Sequence, residues 1–339
     1  MMKPVRTHRV IVYHDETKDV PGEDLKGHVL LFVPETSTTF HNNTLFGTQE
    51  IHVHSLYIFA QHIEKLRAEL KCQDKKFHFS EISGKKWSKY DEALFKLNCL
   101  NVEAMRTKGV SKLLDKPLFF KLAVMFYPKN ADINLYGGDD NKEKRLRYDE
   151  TILRILLKGA AHFLYSDEDK LEVLRLICDG QPEHRPFSDD RIFWQLLVEE
   201  ESGRTPLRDY VNICPQARIE HILSDHKQHE SSSEEYMHAN LLQVADILLG
   251  SVRYIFFGDF KDIAQSQQIG RKCEDKRSVI AKPVWEMLKK KSERGRRFRY
   301  SGHYKAFTVS RMKFEKGRII FQELNIPEAR SQSDDLPLF

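Results

Sequence analysis

The chain has 339 residues, of which 40% are hydrophobic and 31% charged, and its formal net charge is +4 at pH 7. This length suffices for one large α/β domain with an extension or for two small domains. The longest apolar runs fall short of the roughly 20 residues that span a membrane, and the basic start lacks the core of a signal peptide, so we expect neither a membrane segment nor secretion. Because the net charge is small, the distribution of charge is more informative than its sum.

The cysteines and the absence of a nucleotide motif exclude further classes of protein. No two cysteines have the C-x-x-C spacing of a zinc knuckle, and their scatter argues against a disulfide framework. We therefore predict a protein of the reducing cytoplasm. The sequence also lacks the G-x-x-x-x-G-K-[ST] loop of an NTPase. The cysteines are Cys72, Cys99, Cys178, Cys214 and Cys273.

The first third of the chain predicts a β-hairpin followed by two helices. Residues 5–13 and 27–34 are rich in Val, Ile and Leu and flank a polar turn, which indicates paired strands. Residues 54–71 carry apolar side chains at helical spacing, and a second helix is predicted from about 88 to 106. Between the helices, "KKFHFSEIS" indicates a short strand or extended segment that contains Glu81.

The middle of the chain predicts the rest of an α/β domain. Apolar runs with strand-forming residues lie at 117–128, 170–180 and 216–225, and the first of these is expected to be central in the sheet. Helical patterns lie at 142–165, 188–201 and 234–257. Strands interspersed with helices, beginning with a hairpin, predict an α/β fold with a mixed sheet, which we place in residues 1–258.

Residues after Gly258 predict a basic C-terminal extension, at 259–326. Its pattern indicates a helix at 279–291 and a hairpin at 304–324 that turns at Lys316 and Gly317. The last residues, 327–339, have the composition of a flexible tail.

Three acidic residues occupy unusual positions in these elements. Asp15, in "YHDET", follows the apolar first strand, and Asp179 ends a later one. Asp246 lies in "LLQVADILLG" among core residues, where a carboxylate rarely stays without a partner. A salt bridge or a cap would explain Asp246 alone. Together, the three acids favour a site for Mg²⁺ or Mn²⁺, because clustered carboxylates repel one another and hard cations prefer oxygen ligands.

The motifs "YHDET", "FHFSEI", "ICDG" and "LLQVADILLG" together resemble a known family. Over residues 8–258 the chain is similar to the prokaryotic domain of unknown function 3800 family, within the ribonuclease H-like superfamily. The helix motif is the most specific, with Gln243, Ala245, Asp246 and Gly250 all in place. Thr17 stands where the family usually has Ser, a change that keeps the hydroxyl group.

The resemblance implies a ribonuclease H-like fold and a metal-dependent nuclease with a prokaryotic, phage-defence setting. Two ions, roughly 3.5–4 Å apart, would assist phosphodiester hydrolysis. Asp15 would bridge both ions, and His14 or His78 would relay a proton or touch a phosphate, unless each is a packing or surface histidine. The implied catalytic acids and metal ligands are Asp15, Glu81, Asp179 and Asp246, with Glu16 as an additional ligand.

A basic segment, "WEMLKKKSERGRRFRY" at 285–300, suits DNA or RNA. Lysine and arginine can neutralise phosphates while aromatic rings stack on bases. The alternative is a solvated helix end and loop. The predicted nucleic-acid-binding residues are Lys289, Lys290, Arg294, Arg296, Arg297, Arg299, Trp285 and Tyr300.

The terminal "SDDLPLF" ends in apolar residues, which is unusual for a solvated tail. Asp334 to Phe339 resemble bacterial tail peptides that bind the sliding clamp or the partners of single-stranded-DNA-binding proteins, so this segment is a candidate for binding a protein partner. A plain disordered terminus is the alternative. Two other functions stay open for the whole chain, a non-catalytic nucleic-acid-binding or assembly module and a small-molecule phosphohydrolase.

Overall fold

The fold is taken from a computed structural model. It describes residues 7–17, 20, 22–35, 37–44, 47–105, 113–114, 118–129, 132–165, 170–180, 187–188, 190–196, 211–261, 275–295, 306–315 and 318–326. The turn at Lys316 and Gly317 and the tail from residue 327 lie outside these ranges.

The chain begins with the predicted hairpin. Strands β1 (Thr7–Thr17) and β2 (Leu25–Pro34) pair in antiparallel fashion over their apolar centres. A second hairpin, β3 (Ser37–Thr44) and β4 (Gly47–His54), forms a separate two-stranded sheet. The sequence does not predict this second hairpin, because the polar "STTFHNNT" has too little apolar alternation to indicate a strand.

One seven-stranded mixed sheet forms the centre of the molecule, which confirms the α/β prediction. Its strand order is β7-β6-β1-β2-β5-β8-β9, and β1 is antiparallel to β2 but parallel to β6. Strand β8 pairs in parallel with β5, so the chain after Gly258 extends the same sheet. The remaining strands are β5 (Lys121–Pro128), β6 (Lys170–Asp179), β7 (Val211–Ile222), β8 (Phe307–Glu315) and β9 (Arg318–Glu323).

Helices cover both faces of the sheet. Ile11 and Tyr13 of β1 belong to a core shared with four helices, whereas Val10 and Val12 face the core formed with α3. The four helices on the first face are α1 (Ser55–Leu70), α2 (Lys89–Ala104), α4 (Glu234–Phe257) and α5 (Lys276–Gly295). Helix α3 (Asn141–Leu164) is on the other face, and the predicted helix at 188–201 is, within the described residues, a π-helical turn at Asp190–Trp194 followed by two helical residues.

Helix α4 is the central helix of the first face. Ser233 caps its N-terminus by accepting a hydrogen bond from the backbone N–H of Tyr236. Among the described residues it is the one helix long and apolar enough to cross a membrane. However, 67% of its most apolar 18-residue stretch is buried inside the protein. This burial is that of a core helix in a soluble α/β domain.

Candidate active site at the ends of β1 and β6

Two of the predicted acids lie side by side at the ends of two neighbouring strands of the sheet. In the parallel register of β1 and β6, His14 lies opposite Cys178. The next residue on each strand is an acid, Asp15 on β1 and Asp179 at the end of β6. Neighbouring parallel strands therefore bring these two carboxylates to the same end of the sheet.

Asp15 faces helix α4. Side chains alternate along a strand, so Tyr13, Asp15 and Thr17 share one face of the sheet. The Tyr13 hydroxyl is hydrogen-bonded to Nδ1 of His238 at 2.7 Å, and Arg253 of α4 donates to Oγ1 of Thr17 at 2.8 Å. The two contacts flank Asp15 along β1, and both reach α4.

Asp246 of α4 completes a group of three carboxylates, Asp15, Asp179 and Asp246, which we call the acidic cluster. Burial raises the pKa of Asp15 well above its usual value, and the charges of Asp246 and Asp179 raise it further. Burial also raises the pKa of Asp246, against the opposing charges of His78 and Lys76, and Asp179 adds to the rise. Asp15 and Asp246 are thus each in an environment that favours protonation or a neighbouring cation.

The backbone fixes the position of Asp179. The N–H of Ser224 donates to Oδ1 of Asp179 at 2.9 Å, and the N–H of Gly180 donates to the carbonyl of Ile222 at 3.2 Å. Gly180 has φ +123°, a conformation that other residues rarely adopt. The glycine therefore allows the chain to turn away directly after the acid.

The helix motif holds one short stretch of backbone, Phe77–Glu81, which we call the site segment. Gln243 accepts a hydrogen bond from the N–H of Phe77 at 2.7 Å, and Asp246 accepts one from the N–H of Phe79 at 2.9 Å. A Cβ atom on Gly250 would lie 2.4 Å from Cβ of Phe79, so only glycine allows this close approach. Gln243, Asp246 and Gly250 are thus spaced so that they share one face of α4, and the site segment lies along this face.

Gln243 also connects the site segment to the chain that holds Asp179. Its Nε2 donates to the carbonyl of Ser224 at 2.6 Å, while its Oε1 accepts a second hydrogen bond from Arg67 at 2.8 Å. Arg67 is fully buried, and its guanidinium lies 4.5 Å from the centre of the Phe77 ring. Apart from Gln243, these partners carry no motif, and only their tertiary contacts reveal them.

The site segment agrees with the extended alternative of the prediction in its first part only. It is extended up to His78 and then forms a 3-10 turn, Phe79–Glu81, without pairing to a strand. His78 accepts a hydrogen bond from the N–H of Ser80 at 3.1 Å, and its Nε2 lies 3.5 Å from Oδ1 of Asp246. Glu81 is exposed, and its charge acts on Tyr90, whose pKa is raised mainly by burial. The described contacts thus place Glu81 beside Tyr90, at the surface.

His14 and Glu16 alternate to the opposite face of β1 from Asp15. His14 is buried, and its Nε2 is hydrogen-bonded to His28 at 2.7 Å. His28 is bonded in turn to the hydroxyl of Tyr127, which donates to Asp149 at 2.9 Å. His14 therefore packs in the core on the α3 side, which was the alternative to a catalytic role.

The charge of Glu16 acts on both faces of β1. It raises the pKa of Asp15 on the α4 side, although less than burial and the two other aspartates do. Among neighbouring charges it has the largest effect on the pKa of Cys178, which burial raises on the α3 side. Glu16 therefore lies next to the acidic cluster in the chain, but on the α3 side of β1 and not on the α4 side that Asp15 faces.

The predicted nucleic-acid-binding segment is only partly within the described residues. Trp285 is buried in α5, packs against Phe260 and lies under Nζ of Lys289 at 4.7 Å. The Trp285 ring therefore belongs to the core. The side chains of Lys290, Arg294, Arg296, Arg297, Arg299 and Tyr300, and the tail Asp334 to Phe339, lie outside the description.

The donor chemistry of the acidic cluster fits a hard divalent cation, because all three donors are carboxylates. Within the described ranges, no group of three or more His, Cys, Asp or Glu side chains is close enough together to hold a metal ion. Comparison of the chain with protein families, with curated proteins and with solved structures finds no match.

Proposed function

We propose that the protein is a Mg²⁺- or Mn²⁺-dependent nuclease that hydrolyses phosphodiester bonds of DNA or RNA. One observation carries the proposal: Asp15 is a carboxylate whose pKa is raised by burial and by two further carboxylates, Asp246 and Asp179. Holding like charges together in a buried site is unfavourable, and a bound cation offsets that repulsion.

The order of the elements supports a ribonuclease H-like arrangement. The first strand bears an acid, is antiparallel to the second strand, and has a parallel, acid-bearing strand on its other side. A late helix then brings the third acid, Asp246, to the same end of the sheet, in the order that the motifs imply.

The protein's own residues would orient the reaction. Asp15, Asp179 and Asp246 would hold the ions, which when bound would activate water and stabilise the leaving oxygen. The N–H groups of Ser224 and Phe79 each hold one oxygen of an aspartate and thereby orient the other oxygen. His78, which lies beside Asp246 and is half exposed, is the described histidine best placed to meet a phosphate at this site.

The test compares wild type with Asp179→Asn and Asp246→Asn on labelled single- and double-stranded DNA and RNA, in Mg²⁺, Mn²⁺ or EDTA. We expect metal-dependent cleavage by wild type. Both variants should cleave more than roughly 100-fold more slowly, because even substitutions around a metal site cost up to that factor in activity. Asp259→Asn, which neutralises an exposed acid after α4, is the matched control. Normal cleavage by the site variants would overturn the proposal.

A non-catalytic nucleic-acid-binding module is the second candidate. It is favoured by the spacing of the acids, because within the described residues no three potential ligands are close enough to hold an ion. Such a module would bind nucleic acid equally well in EDTA and Mg²⁺ and cut it in neither. A small-molecule phosphohydrolase would instead act on small phosphate esters and leave polymers intact.

A further inference from the structure

Two pairs of lysines flank the site segment in the chain. Lys75 and Lys76 come directly before Phe77, and Lys85 and Lys86 follow Glu81 after a short turn. We propose that these two pairs, the lysine pairs, bind the phosphates of a polynucleotide on either side of the acidic cluster. The inference rests on the proposed function, because it names the substrate class of the same site.

The first pair is fixed beside the acidic cluster. The hydroxyl of Tyr90 donates to the carbonyl of Lys76 at 3.0 Å, and Gln243 holds the next N–H, that of Phe77. Phe79, three residues after Lys76, donates its N–H to Asp246 at 2.9 Å, so the first pair lies within a few residues of the acidic cluster. Lys75 is more exposed, and its partner at 3.7 Å is Asp74, whose side chain is more exposed still.

The second pair lies on a loop that is anchored at both ends. Lys276 of α5 donates to the carbonyl of Ser83 at 2.8 Å and to Asp91 at 2.8 Å. Ser88 and Asp91 form a capping box at the start of α2. The loop between these anchors therefore has a defined position that follows directly from that of the site segment.

Lys85 and Lys86 project from this anchored loop. Gly84 turns the chain at φ +69°. Both lysines are exposed, and neither forms a salt bridge with a residue in the described part of the chain. Their charges are therefore available to a ligand that lies along the loop.

Positive charge is concentrated in this part of the chain. Residues 71–89 contain six lysines and two acids, an excess of four positive charges, which equals the net charge of all 339 residues. The remainder of the chain is therefore neutral in sum. A substrate with negative charge would therefore be attracted to residues 71–89 and to the basic segment at 285–300, and not to the protein as a whole.

The position of the lysine pairs favours a polymer over a small phosphate ester. A single phosphate held by the acidic cluster through cations needs no charge beyond it. Lysines before and after the site segment in the chain match a substrate whose negative groups continue on both sides of the reacting one, as phosphates do along a nucleic acid strand. This reading also explains why the segment that Asp246 holds is flanked in the chain by positive charge.

The test measures binding without cleavage. Fluorescent single- and double-stranded DNA and RNA are titrated with Asp246→Asn protein in EDTA over a range of KCl concentrations. Added Lys85→Ala and Lys86→Ala substitutions should weaken binding and reduce the slope of log affinity against log salt by about 1.4 for a single strand or about 1.8 for a duplex. Further addition of Lys75→Ala should reduce the slope again, by about half as much.

The control removes two exposed charges elsewhere. Lys142→Ala with Arg145→Ala changes α3, on the opposite face of the sheet, and should leave the slope unchanged. Three results would each overturn the proposal. The first is the same salt slope for the lysine variant and its Asp246→Asn background, and the second is no binding of nucleic acid by wild type. The third is displacement of the bound nucleic acid by polyglutamate of matched charge as readily as by unlabelled nucleic acid. If the Lys85→Ala/Lys86→Ala variant cleaved nucleic acid at the wild-type rate and with unaltered KM, this inference would be wrong but the proposed nuclease activity would stand. If binding depended on the lysines but no metal supported cleavage, the proposed nuclease activity would be wrong and this inference would stand.

Discussion

Gln243 accepts the backbone N–H of Phe77 at 2.7 Å, and with the same amide it donates to the carbonyl of Ser224 at 2.6 Å. The N–H of Ser224 in turn donates to Asp179. One buried side chain of α4 therefore links the segment that Asp246 holds to the segment that holds Asp179. The relative position of two acids from distant parts of the chain depends on this amide.

Gln243→Glu should lower both stability and cleavage. The new carboxylate would face the carbonyl of Ser224 without a proton to donate, and an unsatisfied buried group costs about 1–3 kcal/mol. Urea denaturation measures the loss in the free energy of unfolding, and cleavage in Mg²⁺ measures the effect on the site. Gln61→Glu, at an exposed position of α1, should change neither. An active Gln243→Glu enzyme of wild-type stability would show that the amide does not position the acids.

Gly250→Ala should destabilise the protein and displace the site segment. The new Cβ would meet the Phe79 side chain at 2.4 Å, and overpacking of this kind costs about 1–3 kcal/mol. This cost exceeds the gain of up to about 1 kcal/mol from replacing glycine by alanine in a helix. Thermal unfolding followed by circular dichroism measures the net effect.

Gly159→Ala is the matched control for that clash. Gly159 is also helical, but a Cβ there would have its nearest neighbour, the Phe163 ring, at 4.0 Å. Alanine at 159 should therefore stabilise the protein by up to about 1 kcal/mol. Stabilisation of both variants by the same amount would argue against the close packing of Gly250 on Phe79.

Asp246→Asn should raise the thermal stability of the metal-free protein. The carboxylate is disfavoured where it lies, since burial raises its pKa, and asparagine keeps an acceptor for the N–H of Phe79 while removing the charge. In EDTA we expect a higher melting temperature than wild type. Mg²⁺ or Mn²⁺ should stabilise wild type and have little effect on the variant, because only a protein that binds the ion gains from it. A wild-type response to metal in Asp246→Asn would exclude this residue as a ligand.

His226 should make the protein less stable as the pH falls. Burial lowers the pKa of His226, and the charge of Arg67 lowers it further, so the unfolded chain binds a proton that the folded chain does not. This contribution is fully present above about pH 6.5 and is lost as the pH falls towards the folded pKa. The raised pKa values of Asp15 and Asp246 have the opposite sign, because their protonation favours the folded state.

A difference measurement isolates the histidine. The destabilisation caused by His226→Gln, obtained from urea denaturation, should be larger at pH 7.5 than at pH 5.5, since wild type loses the contribution of the neutral imidazole at the lower pH. A constant difference across this range would show that His226 titrates alike in the folded and unfolded chain.

Local sequence pattern determined much of the fold. The apolar run of β1 with its polar turn determined the first hairpin, and helical periodicity from Glu234 to Phe257 determined α4, because both signals lie within a few neighbouring residues. Elements that lack such a local signal were not predicted correctly. The polar β3–β4 hairpin has little apolar pattern, and the site segment is shaped by hydrogen bonds to a helix more than 160 residues away.

The acids of the cluster could be named from the sequence, because a carboxylate within or at the end of an apolar run is unusual. Only the tertiary structure decided which face each residue occupies, since alternation puts Asp15 and His14 on opposite sides but does not say which side α4 covers. Only it identified Arg67 and Ser224, and only it showed that Gln243 of the helix motif joins the acid-bearing segments through its contacts. Their contacts are between residues far apart in the chain, so no spacing along the sequence could have indicated them.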